Sequence, residues 1–313
     1  MKIIVLGAAA GGGFPQWNCN CNNCSGLRRG TIAAVPRTQS SIAVSSNSRD
    51  WVLVNASPDI LAQIKATPEL QPARAPRDSG IAAVMLTDSQ IDHVAGLLML
   101  REGKALPLYC TDSVWQDLSI EFPLTKVLSH YCGVSRHSLA VADFTGNRNA
   151  RDGAATAIPG ISDLRFTPIA VKSKAPPYSS RSAGPEPGDN IALIIEHLKT
   201  RKMLFYAPGL SEIHPQVEAA MREADCLLID GTFWAADEMI RAGFSKKSAR
   251  DMGHLPQSGA GGMIEVLEAV GTKRKVLVHI NNTNPILDEN SPERAILAQK
   301  GIEVAYDGME IIL

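Results

Sequence analysis

The chain has 313 residues, of which 45% are hydrophobic and 20% are charged, and its 31 basic and 32 acidic residues give a net charge of −1. This composition is typical of a soluble globular protein, and a near-neutral chain has no overall attraction for nucleic acid or anionic membranes. Because no apolar stretch suits a signal-peptide core or a membrane span, we expect a cytoplasmic protein, monomeric or homo-oligomeric, without nucleic-acid or membrane partners.

Short hydrophobic runs separated by turn residues predict the elements of the first half of the chain. The predicted strands span Lys2–Gly7, Ser41–Ser45, 51–56, 81–87 and 107–110. The predicted helices span 58–67, 92–101 and 112–122. A polar, proline-rich loop is predicted at 71–80, and the early strands follow one another mostly as hairpins.

In the second half, predicted strands alternate with predicted helices. The strands span 164–171, 191–196, 203–206, 226–229 and 275–280, with two short final strands around Asp307 and Gly308. The helices span 215–224, 262–270 and Pro292–Gln299. The segment 172–189 is rich in proline, serine and glycine, and a loop of that length is a candidate lid or substrate loop.

The two halves have a similar balance of strands and helices, and no clear linker divides them. Two β-rich halves with helices on the outside predict an α/β fold with four layers, αββα. We therefore expect residues 1–313 to form a single domain.

Three cysteines lie close together in the sequence, at Cys19, Cys21 and Cys24. In a reducing compartment this spacing favours metal ligation over a disulfide, and a disulfide would leave one of the three unpaired. Three thiolates on one short loop can surround a tetrahedral ion, which in proteins is usually Zn²⁺. The spacing predicts a structural zinc site whose fourth ligand is not visible in the local sequence.

A second group of possible metal ligands follows predicted strands. Asp92 and His93 come after the buried strand 81–87, and His279 ends the strand 275–280. Side chains at the carboxyl ends of strands are where α/β folds present reactive groups. Taken alone, the Asp-His pair favours an ordinary helix start, because an acidic residue in the first turn interacts favourably with the helix dipole.

The segment 88–93 reads Asp-Ser-Gln-Ile-Asp-His, which resembles the His-x-His-x-Asp-His signature of the metallo-β-lactamase superfamily with both leading histidines replaced. His254, His279 and Asp230 resemble the superfamily's later histidine motif, its closing metal histidine and its acidic residue after the equivalent strand. The segment 203–209 stands where the superfamily supplies a metal-bridging aspartate, and it contains none. The resemblance implies an αββα sandwich of the metallo-β-lactamase type.

Longer motifs narrow this resemblance. They lie at 13–24, 53–60, 87–93, 252–256 and 279–285. Over essentially the whole chain they are similar to the branch of the superfamily that serves pyrroloquinoline quinone (PQQ) biosynthesis. The resemblance implies a peptide-derived precursor, in which a Glu and a Tyr are cross-linked, as the partner molecule. It also implies O₂-dependent hydroxylation of the tyrosyl ring.

The altered ligand set has a chemical consequence. With Asp88 and Gln90 in the histidine positions and no bridging aspartate, one site of a two-metal hydrolase is weakened. The remaining set, Asp92, His93 and His279, is the two-histidine, one-carboxylate triad associated with non-heme Fe²⁺. The same set also suits Zn²⁺ or Mn²⁺, so the sequence leaves the metal open.

The resemblance gives roles to the remaining polar residues. His254 and Asp230 become candidates for proton transfer and substrate orientation. Asp88 and Gln90 become candidates for contacts with metal-bound water or substrate. In phosphodiesterase relatives, the cysteine zinc loop is closed by a histidine three residues after the last active-site histidine. That position is Asn282 here, and asparagine is a poor Zn²⁺ ligand, so the sequence leaves water, a backbone group or another side chain open as the fourth ligand.

Three hypotheses about function follow from this reasoning. The first is an iron-dependent hydroxylase, an oxidoreductase of PQQ biosynthesis. The second is a metal-dependent hydrolase, as in most of the superfamily. The third is a soluble carrier in the transport of PQQ or its precursor towards the periplasm. Hydroxylation requires O₂, hydrolysis requires a ligand set for two metals, and carriage requires binding without chemical change.

Overall fold

The computed structural model describes residues 1–142, 155–272 and 274–313, which contain fourteen strands. In chain order they are β1 (Lys2–Gly7), β2 (Ser41–Ser45), β3 (Trp51–Val54), β4 (Ile81–Met85), β5 (Leu106–Cys110), β6 (Val134–Ser138), β7 (Thr156–Ile158), β8 (Ile161–Ala170), β9 (Ile191–His197), β10 (Met203–Ala207), β11 (Cys226–Asp230), β12 (Arg274–Val278), β13 (Ile302–Val304) and β14 (Met309–Ile312).

The described α-helices are mostly short. In chain order they are α1 (Asn22–Arg29), α2 (Ile60–Ala66), α3 (Ile91–Val94), α4 (Asp112–Gln116), α5 (Leu124–Leu128), α6 (Pro215–Glu223), α7 (Glu238–Arg241), α8 (Met263–Val270) and α9 (Pro292–Gln299). Within the described ranges, no helix is long and apolar enough to cross a bilayer.

The strands form two sheets. Among the described residues, one sheet has the order β14-β1-β2-β3-β4-β5-β6 and the other has the order β13-β12-β11-β10-β9-β8-β7. The first strands of each sheet along the chain pair antiparallel, as the predicted hairpins require, whereas β3-β4-β5-β6 and β10-β11-β12-β13 are parallel. Both parallel stretches therefore point their carboxyl ends towards one region of the molecule.

The core explains why most strands are continuously apolar. Along β1, Ile3 and Val5 face a cluster shared by both sheets, while Ile4 and Leu6 face a cluster on the outer side of the first sheet. Helices α2, α4 and α5 cover that outer side, and α6, α8 and α9 cover the second sheet. A sheet buried on both faces has no polar alternation. The predicted αββα sandwich is confirmed.

Two predicted helices differ from the structure in type. The prediction of one α-helix over 92–101 was wrong, because α3 ends at Val94 and a 3₁₀-helix continues over Ala95–Leu100. Gly96 in this 3₁₀-helix packs closely against the segment after β3, because an added Cβ atom would lie 2.0 Å from the Ser57 carbonyl oxygen. The predicted helix 112–122 likewise changes after Gln116 into a π-turn over Asp117–Glu121.

The last two strands lie in different sheets. β13 pairs with β12, and β14 pairs with β1 at the edge of the other sheet. The connecting turn is held by Asp307, whose carboxylate accepts hydrogen bonds from the backbone N–H groups of Ala8 (3.0 Å) and Thr38 (2.7 Å). The sequence predicted both strands but not their separation, because the pairing depends on contacts with the distant N-terminus.

Candidate metal centre

A cavity of about 210 Å³ opens where parallel strands of both sheets end. β4 leads into the segment that carries Asp92 and His93, β11 is followed by Thr232, and His279 follows β12 directly. His254 reaches the same cavity from the turn after the 3₁₀-helix Arg250–Met252. Residues distant in sequence thus meet at the carboxyl edge of the strands, as α/β folds generally arrange them.

The three residues predicted from sequence as metal ligands converge in this cavity. Donor atoms of Asp92, His93 and His279 all lie within 4.8 Å of one another. The Asp92 Oδ2 atom is 3.2 Å from His279 Nε2 and 3.9 Å from His93 Nε2. The two imidazole rings meet edge to face, with centroids 5.2 Å apart. One small cation between these atoms would be ligated by all three.

A hydrogen bond fixes the tautomer of His93. Its Nδ1 atom donates to the Asp88 carboxylate at 2.8 Å, which leaves the Nε2 lone pair turned towards Asp92. That Nε2 atom is buried and has no hydrogen-bond partner among the described residues. An unpaired buried polar atom costs about 1–3 kcal/mol, and ligation of a metal removes this cost. The donor set therefore fits a metal.

Asp88 lies behind His93 rather than beside its free nitrogen. Its carboxylate also accepts hydrogen bonds from the Thr87 hydroxyl at 2.8 Å and from the Gln90 backbone N–H at 2.9 Å. Fully engaged in this way, the carboxylate orients the His93 ring. Sequence reasoning proposed Asp88 for contacts with metal-bound water or substrate. The structure places Asp88 at the cavity, with its carboxylate against His93 Nδ1, and a carboxylate in that position can orient a metal-ligating histidine.

A similar arrangement holds the other two histidines. His254 Nδ1 donates to Asp230 Oδ2 at 2.7 Å, and the Thr232 hydroxyl donates to Asp230 Oδ1 at 2.6 Å. The same hydroxyl accepts from His279 Nδ1 at 2.8 Å, since its single hydrogen goes to the carboxylate. Both Nδ1 atoms are thereby occupied and both Nε2 lone pairs remain available. The rings of His254 and His279 stack with centroids 5.2 Å apart.

Thr232 is the functional residue that sequence reasoning missed. Its hydroxyl joins Asp230 to His279, and it lines the cavity together with His254. The available signal was the polar Asp-Gly-Thr run that follows the buried strand β11. A threonine gives no metal-binding signal by itself, so only the fold reveals this role.

The electrostatics of the site favour a cation. Burial by itself raises the pKa of the Asp92 carboxyl, but the attraction of the neighbouring His93 and His279 rings outweighs burial and holds that pKa below its usual range. Burial lowers the pKa of His93, yet Asp88 and Asp92 raise it to about 9, so without a metal the Nε2 atom that faces Asp92 holds a proton, and a bound metal would replace that proton. Burial lowers the pKa of His279, and Asp92 opposes this effect. The His93 imidazole lies between the carboxylates of Asp88 and Asp92, and two negative charges in this position stabilise a positive charge.

The backbone at His279 is strained. Its φ angle is 56°, a left-handed conformation that costs a side-chain-bearing residue about 1–2 kcal/mol. The next residue anchors this turn, because Ile280 N–H donates to Ala8 at 2.9 Å and the Ile280 carbonyl accepts from Ala10 at 2.9 Å. Strain of this kind concentrates at functional sites, where the surrounding structure maintains it.

The loop over 172–189 lies against the cavity and is firmly held. Arg181, whose side chain is 11% exposed, pairs with the buried carboxylates of Asp117 at 2.8 Å and Asp189 at 2.6 Å. The same Asp117 accepts from the Ser89 hydroxyl at 2.6 Å, next to Asp88. The predicted loop is present, and its inner side is tied to the metal-binding segment by a buried ion-pair network.

Gln90 contributes to the same attachment. Its side-chain Nε2 donates to the Lys174 carbonyl at 3.1 Å, and Asn190 donates to that carbonyl at 3.2 Å. Both amides line the metal cavity. Gln90 therefore lies where the sequence placed it, at the cavity wall, but its amide nitrogen contacts the loop.

The three cysteines also converge, with sulfur atoms within 4.8 Å of one another. Cys21 is the N-cap of α1, a helix that sequence reasoning did not predict, and its sulfur accepts from Cys24 N–H at 3.4 Å. Burial raises the pKa of the Cys21 thiol to about 12. A cation is needed to keep three adjacent sulfurs ionised, and a zinc ion meets this need.

Asn282 closes the cysteine cluster. Its side-chain Nδ2 atom lies 3.3 Å from Cys24 Sγ and 3.8 Å from Cys21 Sγ. This residue follows His279 by three positions, so one turn of chain joins the cysteine cluster to the metal cavity. The amide sits where a fourth ligand would lie.

The sequence between residues 50 and 280 matches the family model of the β-lactamase superfamily domain. Two solved structures are similar over nearly their whole length. Zn²⁺-bound PqqB from Methylobacterium extorquens is 39% identical, with a TM-score of 0.89 and 100% of each chain covered. A diphosphatase from the PhnP family is 18% identical, with a TM-score of 0.66, covering 100% of this chain and 97% of that one. The fold and the site thus define a metallo-β-lactamase-fold protein.

Proteins named coenzyme PQQ synthesis protein B are similar over the full length. The one from Cupriavidus necator is 60% identical, covering 100% of this chain and 99% of the relative. The one from Methylococcus capsulatus is 56% identical, with 100% of both covered. The chain belongs to the coenzyme PQQ synthesis protein B family.

Proposed function

We propose that this protein acts in PQQ biosynthesis as an iron-dependent oxygenase that hydroxylates the tyrosyl ring of a cross-linked Glu-Tyr precursor. The observation that supports this proposal is the convergence of Asp92, His93 and His279, with a buried His93 Nε2 lacking any partner among the described residues. A bound Fe²⁺ would supply the activation of O₂, because this ligand set leaves coordination positions open.

The residues around the triad suit a phenolic substrate. The Nδ1 atom of His254 donates to Asp230, so the Nε2 lone pair of His254 can accept the phenolic proton of the substrate. Removal of that proton makes the substrate ring electron-rich and therefore easier to hydroxylate. Phe233 lines the cavity and meets the His254 ring edge to face, with centroids 5.7 Å apart. Its ring offers an apolar wall against which an aromatic ring can lie.

The position of Asp230 argues against a two-metal hydrolase. Asp230, His254 and His279 also have donor atoms within 4.8 Å of one another, which resembles a second metal site. However, the Asp230 oxygens already accept from Leu210 N–H (3.0 Å), Thr232 N–H (2.9 Å), the Thr232 hydroxyl and His254. A fully engaged carboxylate that is 0% exposed does not offer an oxygen to a second ion.

The experiment that tests this proposal is anaerobic reconstitution with Fe²⁺ followed by O₂, a Glu-Tyr-derived substrate and a two-electron reductant such as ascorbate, which reduces the second oxygen atom of O₂ to water. We expect a product heavier by one oxygen atom, with label incorporated from ¹⁸O₂. His279→Ala should abolish product while the fold is retained by circular dichroism. Metal-loaded protein that consumes no O₂ and leaves the substrate unchanged would contradict the oxygenase. Tight, unreactive binding of PQQ in that same experiment would instead support the carrier hypothesis.

We also propose that Cys19, Cys21 and Cys24 bind a structural Zn²⁺ and that the Asn282 side chain supplies the fourth ligand. The oxygen and nitrogen of an amide are assigned from the surrounding hydrogen bonds, so rotation about χ2 turns Oδ1 towards the sulfurs. The contacts of Asn282 with two of the sulfurs support this proposal. Cytoplasmic location remains a prediction that accords with thiolate ligation.

A further inference from the structure

A second cavity of about 190 Å³ adjoins the metal cavity and is basic. Lys172, Lys174 and Arg250 line it, together with the single carboxylate of Glu212. Ser173 lines both cavities, so the two are neighbours along one wall.

The charges in this cavity are unevenly matched. Lys172 pairs with Glu212 at 2.7 Å, and Arg250 donates one guanidinium N–H to the Ser211 carbonyl at 2.9 Å. Across 1–142, 155–272 and 274–313, no carboxylate lies within 4.0 Å of the Lys174 ammonium or the Arg250 guanidinium. The carboxylate of Asp251, which does not line the cavity, also interacts with Lys174. Three cations near two carboxylates still leave an excess of positive charge that an anion would neutralise.

The backbone that carries these cations is fixed relative to the metal cavity. The Lys174 carbonyl accepts from Gln90 and Asn190, and the Ser173 hydroxyl donates to the Gly253 carbonyl at 2.8 Å. Gly253 has a φ of 95° and directly precedes His254, and an added Cβ atom would lie 2.6 Å from the Ser173 hydroxyl oxygen. These contacts hold the backbone of the basic cavity at a fixed distance from the metal ligands.

We propose that this basic cavity binds a carboxylate of the substrate and thereby positions the reacting ring over the metal triad. The inference rests on the proposed function, since glutamate and tyrosine bring carboxylates that lie away from the phenol ring. Lys174 and Arg250 are the two cavity cations that form no ion pair among the described residues, and the planar guanidinium of Arg250 suits a carboxylate in two-point contact.

The test measures binding without turnover. PQQ, a coloured tricarboxylate, is titrated anaerobically into wild type, Lys174→Gln, Arg250→Gln, the double variant and a matched control, Lys126→Gln, whose side chain is exposed outside both cavities. We expect the double variant to bind about tenfold more weakly, with a shallower dependence of Kd on salt, and the control to match wild type. Metal content should be equal in all five proteins.

Equal Kd values for the double variant and the control would overturn the proposal. Displacement of PQQ by inorganic phosphate at lower concentration than by glutamate would also overturn it, in favour of a phosphate ester. Because the experiment measures binding, a failure of the oxygenase proposal can be distinguished from a failure of the carboxylate-binding proposal. Weak binding by the double variant, together with no hydroxylation by wild type, would uphold the carboxylate subsite and reject the reaction.

Discussion

The Nδ1 atom of His93 lies 2.8 Å from the carboxylate of Asp88. His93 is kept from the superfamily signature, and Asp88, which replaces a histidine of that signature, holds the His93 ring. The superfamily pattern places a metal-ligating histidine where Asp88 stands. In this chain the aspartate instead accepts a hydrogen bond from His93 Nδ1, a contact that in metal sites orients the ligating histidine.

Asp88→Asn should weaken metal binding at the triad. The amide keeps the shape of the side chain but removes the negative charge that faces His93 Nδ1–H. We expect a 10- to 100-fold loss of metal affinity, which is the usual effect of losing a carboxylate behind a ligating histidine. Fe²⁺ or Zn²⁺ titration measures this loss. Asp112→Asn, at a carboxylate that is 75% exposed, should bind metal as wild type does. Equal affinities of the two variants would exclude the orienting role.

Thr232→Val should disrupt the link between Asp230 and His279. The valine has nearly the same shape but leaves the buried Asp230 Oδ1 and His279 Nδ1 atoms short of a partner, at a cost of about 1–3 kcal/mol in the free energy of unfolding. Urea denaturation and metal titration report the two effects separately. Thr232→Ser retains the hydroxyl and should restore metal affinity. A serine variant as impaired as the valine variant would show that the methyl group, not the hydroxyl, matters.

Arg181→Met should destabilise the protein strongly. It leaves the carboxylates of Asp117 and Asp189, 1% and 2% exposed, buried without their cation. Breaking a buried pair from one side typically costs about 3–5 kcal/mol. Chemical denaturation measures the change. The surface variant Arg74→Met, whose partners are more exposed, should lose no more than about 1 kcal/mol. Similar losses of unfolding free energy in both variants would show that the buried ion pairs of Arg181 do not stabilise the attachment of the 172–189 loop.

Cys24→Ser should lower the zinc content by one ion per chain. The sulfur of Cys24 lies within 4.8 Å of the other two cluster sulfurs, and serine is a poor Zn²⁺ ligand. Cys226→Ser is the matched control, because Cys226 is buried in the core between the sheets. Elemental analysis of purified proteins gives the stoichiometry. Asn282→Ala should also reduce zinc retention during dialysis against a chelator, and full retention would reject Asn282 as the fourth ligand.

Residues 1–313 should unfold as one domain. The cluster between the sheets takes side chains from both, including Val5 of β1 and Leu228 of β11, so separation of the sheets would expose this shared core. We expect a single calorimetric transition whose calorimetric and van't Hoff enthalpies agree in metal-loaded protein. Two separable transitions would contradict the single domain.

The sequence by itself determined most of the strands, the layered fold class and the residues that meet in the cavity, but it did not predict the short strands β6 and β7. Apolar runs such as Cys226–Asp230 are strands buried on both faces, and local hydrophobicity is sufficient to predict them. The predicted ligands Asp92, His93 and His279 converge because strand ends collect at one edge of a parallel sheet. A local sequence pattern predicts a structural feature when that feature depends on neighbouring residues, as a buried strand does. It also does so when the feature follows from the fold class, as the position of a residue at a strand end does.

Only the tertiary structure decided the orientation of those ligands and the environment that holds them. The bonds of Thr232 to Asp230 and His279, the turn of Asp88 behind His93 and the closure of the cysteines by Asn282 join residues from separate segments. The same is true of the 3₁₀ turn at Gly96 and the separation of the last two strands. Hydrogen-bond direction and close packing depend on atoms that approach only after the chain has folded, and no local pattern encodes them.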